Sequence, residues 1–228
     1  MNRFSPHMEI LPPIQRKLWP ELAKTPELGL VLYGGTAIAL RIGHRASVVF
    51  DFFSDRPLSK DELRHSFSLL QKSTVIQDSL NTLTVLAPCG GGAGGGHVKV
   101  SFFGGIGFGR VGEPEQTEDG TLFVASLDDL MATKVKVILD RIEAKDYIDI
   151  AAMINAGVAL ARGLAAAREM YGRNFQPSES LKAMVYFEGG DLHTLSSEVK
   201  HTLVKTVGSV RALPRIELVS RELARRGA

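Results

Sequence analysis

An aspartate stands inside an apolar, aromatic run, Val48-Val49-Phe50-Asp51-Phe52-Phe53. A carboxylate in such surroundings needs a partner, a metal or a functional reason. Pairing with Arg41 or Arg45, or capping a loop, would equally satisfy it. Alternation along a strand puts Ser47, Val49 and Asp51 on one face. Upstream, Leu30-Val31-Leu32-Tyr33 reads as a strand that runs into Gly34-Gly35-Thr36, and a helix reads from Thr36 to Ile42, ended by Gly43. Two glycines let a backbone approach a ligand closely. The helix N-terminus offers free N–H groups and a partial positive charge, which suits a phosphate. Thr36 adds a hydroxyl. The same Gly-Gly-Thr turn also serves strand–helix junctions that bind nothing.

A second group lies in residues 126–154. Lys134 and Arg141 are seven residues apart and share one side of a helix, and Asp146 and Asp149 are neighbours at the start of the next. These charges could act on a ligand or simply lace a solvated face. His44, in the Gly43-His44-Arg45 segment, could approach a substrate or structure its loop. The six histidines are scattered, and no HExxH or Cys/His cluster occurs, so no zinc site is expected. The single cysteine, Cys89, excludes an intramolecular disulfide, fits a reducing cytoplasm and has no histidine nearby in sequence to make it a catalytic thiol. Eleven of the 23 glycines fall in residues 90–112. The Gly-Gly-Gly-Ala-Gly-Gly-Gly stretch there lacks the Gly-Lys-Ser/Thr ending of a phosphate loop and reads as a flexible hairpin connection.

The elements that must position these groups fall into two textures. Residues 10–24 read as a helix, 47–53 as a strand, and 59–72 as a helix opened by a Ser59/Glu62 capping box. Residues 81–87 and 97–103 alternate as strands, 104–120 reads as a polar loop, and 121–125 as a last strand. From Ser126, an N-cap with Asp128 and Asp129 in the first turn, helices follow over 126–138, 145–156, 158–171, 178–187, 195–207 and 214–226. The chain thus reads as α+β, with a mixed domain over 1–125 and a helical domain over 126–228. Its 228 residues suffice for a core without staples, and no apolar run is long enough to span a bilayer. The net charge is +2, and the two halves carry 12 basic against 12 acidic and 15 against 13 side chains. Any nucleic-acid surface must therefore be local, for example the arginines Arg211, Arg215, Arg221, Arg225 and Arg226.

Taken together, the blocks resemble the AbiEii nucleotidyltransferase-like toxins. GGTAIALRIGHRASVVFDFFS is similar to their opening motif, SLDDLMATKVKVILDR to their Lys…Arg helix, and KDYIDI to the acidic motif that follows. The matching blocks cover residues 28–55 and 97–156. The resemblance implies a nucleotidyltransferase fold of the DNA polymerase β type with a helical domain after it. It implies that Gly34, Gly35 and Thr36 hold a nucleoside triphosphate, and that Asp51 is the second aspartate of a Mg²⁺-binding pair. By the same resemblance Lys134 contacts phosphates, Asp146 and Asp149 form the acidic motif, and Arg141 sits beside them. His44, Arg45 and Ser47 lie within the opening motif.

One departure matters. Where the family has its first metal-binding aspartate, this chain has Val49, and a third carboxylate position on the strand VKVSFF is Ser101. Valine cannot ligate Mg²⁺, so nucleotide transfer to an RNA or protein hydroxyl is expected to be impaired. Three functions stay open: a toxin of this kind with NTP, RNA such as tRNA and a cognate antitoxin as partners; a non-catalytic nucleotide-binding or interaction protein on the same fold; and a transferase acting on an antibiotic or sugar.

Overall fold

The computed structural model describes residues 2–90 and 96–225. The chain divides into two compact units: residues up to Gly109, Glu113–Ala125 and those from Ser220 form the first, and Arg110–Gly112 with Ser126–Val219 form the second. The expected flexible connection at 91–95 lies outside the described residues.

The first unit holds, in chain order, β1 (Arg3–Phe4), α1 (Pro13–Leu18) with a 3-10 turn after it, β2 (Val31–Tyr33), α2 (Gly34–Ile42), β3 (Val49–Phe53), α3 (Lys60–Ser66), α4 (Ser68–Lys72), β4 (Thr74–Ser79), β5 (Thr82–Cys89), β6 (Gly96–Phe103), β7 (Glu115–Thr117) and β8 (Phe123–Val124). The strands form one sheet of order β1-β7-β8-β2-β3-β6-β5-β4. It is mixed: β3 runs antiparallel to β2 and parallel to β6. Phe50 and Phe52 of β3 are fully buried and lie on the face that Val100, Phe102, Leu83 and Val85 also cover. Four consecutive residues of α2, Ala37 to Leu40, are also fully buried, so the middle of this helix is enclosed while Gly34 and Gly35 at its start are half-buried.

Several elements differ from their sequence reading. The helix expected over 59–72 is two, because Phe67 adopts an extended backbone (φ −115°, ψ 108°) and packs its ring on Phe102 at 5.6 Å. Burial of that ring outweighs one more turn of helix. Strand β4 was not legible because all six of its residues are exposed, leaving no buried stripe to read. The loop expected over 104–120 contains β7.

The second unit holds α5 (Leu127–Val137), α6 (Ala144–Asn155), α7 (Leu160–Tyr171), α8 (Pro177–Val185) and α9 (Ser197–Ser209). Ser126 caps α5 by accepting from the Asp129 amide at 3.1 Å, and its own hydroxyl donates to Asp129 at 2.6 Å. Asp129 also accepts from the Val111 amide at 2.8 Å. Burial raises its pKa to about 6 against these hydrogen bonds. The helix expected over 214–226 does not form. Residues 210–218 have no regular structure, and the Val219 amide donates to the Arg110 carbonyl instead of closing a helical turn. The C-terminal arginines therefore make no helix face; Arg225 pairs with Glu113 at 2.9 Å, and Arg226 lies outside the described residues. No helix among the described residues is long and apolar enough to cross a membrane.

Helices α5 and α7 touch through Gly163, where an added Cβ would lie 2.1 Å from Met131 Cγ. Gly163→Ala is expected to destabilise by about 1–3 kcal/mol despite alanine's better helix propensity, because overpacking outweighs it. Urea unfolding measures this, and a stabilised variant would refute the close packing.

Candidate functional site

The functional face of the first unit follows from the pairing of β3. Because Phe50 and Phe52 fill the core, Val49, Asp51 and Phe53 occupy the opposite face and are only half-buried. In register, Asp51 lies beside Tyr33 on β2 and Ser101 on β6, and Ser101 lies beside Thr84 on β5. One step along, Val49 pairs with the exposed Lys99, which pairs with Leu86. Asp51 is thus the one acid in a row otherwise made of Tyr33, Ser101, Thr84 and Gln77.

Helix α2 begins at Gly34 rather than at Thr36, so both glycines belong to its first turn. Gly34 has φ +73°, and a Cβ built on it would stand 3.1 Å from Asp51 Oδ2. Both its left-handed backbone and the closeness of the carboxylate require glycine there. Thr36 is buried, and its hydroxyl is already used: it lies 2.7 Å from Ser47 Oγ and donates to the Val49 carbonyl. Thr36 and Ser47 therefore clamp the first turn of α2 to the start of β3, a positioning role in place of the ligand contact expected for the Thr36 hydroxyl. His44 and Arg45 follow in the loop that Gly43 opens with φ +66°, and Arg45 donates to the Ala46 carbonyl at 3.0 Å.

In the second unit the four charges expected from sequence do come together. Lys134 Nζ lies 2.5 Å from Asp146 Oδ1 and 2.7 Å from Asp149 Oδ2; both aspartates are fully buried and the lysine side chain is 5% exposed. Arg141 closes the group, with Nε 2.8 Å from Asp146 Oδ2 and Nη2 3.1 Å from Oδ1. Burial works to raise the Asp146 pKa, but the Arg141 hydrogen bonds and the Lys134 charge hold it below the ordinary carboxylate value. The geometry corrects the solvated-face alternative. It also encloses the Lys134 ammonium between two carboxylates, where it bridges them and fixes α5 against α6. Sequence spacing gave no sign that Lys134, Asp146 and Asp149 are buried, and it placed Arg141 on the helix of Lys134, whereas α5 ends at Val137 and the half-exposed Arg141 reaches Asp146 from the connection that follows.

Mg²⁺ takes hard oxygen ligands in near-octahedral geometry, and two-metal transfer needs carboxylates that bridge both ions. The Asp51 row provides one carboxylate, with valine and serine at the neighbouring positions. Among the described residues no group of three or more His, Cys, Asp or Glu side chains could hold a metal ion. The donor set of this chain does not fit a two-metal centre. Cys89 is buried in β5, and burial pushes its thiol pKa up, against a reactive role.

The family model described as "Nucleotidyl transferase AbiEii toxin, Type IV TA system" matches residues 21–219. The protein aq_aa25 of Aquifex aeolicus (strain VF5) is 29% identical over 174 residues, covering 73% of this chain and 80% of that one. Among solved structures, JHP933 from Helicobacter pylori superposes with a TM-score of 0.56 at 16% identity, over 86% of this chain and 88% of its own. A candidate nucleotidyltransferase from H. pylori gives 0.55 at 16% identity, over 86% and 90%. At that identity the structures establish a shared fold.

Lys134→Met deprives the buried Asp146 and Asp149 carboxylates of the ammonium they share. A loss of about 3–5 kcal/mol in urea unfolding is expected above pH ~4. A group whose folded pKa is lowered contributes stability above its unfolded value, 3.8 for Asp146, and loses it as pH falls through the folded pKa. The deficit of the variant should therefore shrink on acidification below about pH 4. A deficit that is small or independent of pH would refute the bridging role.

Proposed function

This chain belongs to the AbiEii nucleotidyl transferase toxin family, and on that premise we propose that it takes a nucleoside triphosphate on the Asp51 face, with two-metal nucleotide transfer impaired at Val49. The observation that carries this reading is the register of β3 and β6: Val49 shares a face with Asp51, and Ser101 stands directly beside Asp51. Gly34 and Gly35 in the first turn of α2 support a phosphate near Asp51, since their amides head a helix of nine residues. The acceptor in this reading is an RNA or protein hydroxyl, and a cognate antitoxin, which membership of a toxin–antitoxin family implies, restrains the activity. Lys134, Arg141, Asp146 and Asp149 hold the second unit together rather than touch the nucleotide.

The decisive comparison is between the wild type and Val49→Asp. Each is incubated with labelled NTPs, Mg²⁺ and total cellular RNA and protein. Val49→Asp should label its acceptor on the order of a hundredfold more than the wild type, about 2.7 kcal/mol of barrier. Equal labelling by the two chains, or none from either, overturns the reading.

A further inference from the structure

The misfit between this face and a two-metal centre has a positive counterpart. A face carrying three carboxylates repels a triphosphate unless cations stand between them. Here the corresponding positions are Val49, Asp51 and Ser101, and Lys99 pairs directly with Val49. In a sheet, paired residues point to the same side, and diagonal neighbours lie roughly 7–8 Å apart. Lys99 therefore stands diagonal to Asp51 on the same face. It is exposed and forms no ion pair among the described residues. What distinguishes it from other lysines without an ion pair, such as Lys17, Lys72 and Lys205, is its place beside Val49 and Ser101, whereas Lys60, Lys134 and Lys136 pair with acids. With valine and serine in place of two carboxylates, the side chains at positions 49, 51, 99 and 101 carry one negative and one positive formal charge. An ammonium on this face opposes a divalent cation and offers its charge to a phosphate.

We propose that this face holds the triphosphate of a nucleotide as the free anion, with Lys99 supplying the positive charge that metal ions supply in a two-metal transferase. The inference rests on the reading that the Asp51 face takes an NTP, and it specifies how. Binding is then independent of divalent metal and dependent on Lys99. The side chain contributes as a point charge, so arginine can replace it and alanine cannot.

The test is calorimetric titration of the full chain with ATP, GTP, CTP and UTP, in EDTA and in excess Mg²⁺. The chains compared are the wild type, Lys99→Ala and Lys99→Arg, each checked by circular dichroism for folding. For the NTP that binds, the wild-type Kd in EDTA should lie within about threefold of its value in Mg²⁺. Lys99→Ala should weaken binding in EDTA about tenfold, which is about 1.4 kcal/mol, while Lys99→Arg stays near the wild type. Binding that appears only with Mg²⁺ overturns the proposal and leaves the nucleotide reading standing, as does unchanged binding by Lys99→Ala. If no NTP binds the folded wild type under either condition, the nucleotide reading itself fails and this inference fails with it.

Discussion

The burial of Phe50 and Phe52 is the constraint on which the functional face depends. Side chains alternate along a strand, so two rings locked into the core commit Val49, Asp51 and Phe53 to the other side. A slip of one residue would drive the Asp51 carboxylate into the aromatic core and two phenyl rings out of it. The same register then brings Ser101 and Lys99 of β6 alongside. The chemistry of the face is therefore decided by its hydrophobic reverse side. Gly34 completes it, because only a residue without a side chain lets the α2 turn come so close to the carboxylate.

Each unit handles its buried charge differently. In the second, Lys134 and Arg141 surround Asp146, and the charges are satisfied within the protein. A group of this kind holds position well but has little freedom to meet a ligand. In the first, the Asp51 face is half-buried and its cation is exposed. Ligand recognition favours the arrangement of the first unit, since a charge already neutralised by its neighbours has less to gain from a phosphate.

Much of this was legible from residue order because it rests on local physics. The Gly34-Gly35 junction, the Ser59 and Ser126 caps, and alternation in β5 and β6 all depend on near neighbours. What failed depended on tertiary contacts. Phe67 breaks a helix that the Ser59 capping box began correctly, because its ring has a place against Phe102. The run 214–226 has the composition of a helix, yet its amides are spent elsewhere. Lys134 and the two aspartates showed their spacing but not their depth. Lys99 could have been found: alternation in His97-Val98-Lys99-Val100-Ser101 puts it on one face with Ser101, but only the pairing of β6 with β3 brings it next to Val49.

The return of the chain from Ser220 to the first unit has a consequence for synthesis. The Leu223 amide donates to Asp55 at 2.8 Å, and Arg225 reaches Glu113. Domains generally fold in the order in which they leave the ribosome. Here residues made after the whole second unit belong to the first, so the first unit gains its hydrogen bonds to Asp55 and Glu113 only once the second has been synthesised. A ribosome that stalls within α9 would hold a chain whose sheet is present but whose tethers at Leu223 and Arg225 are not.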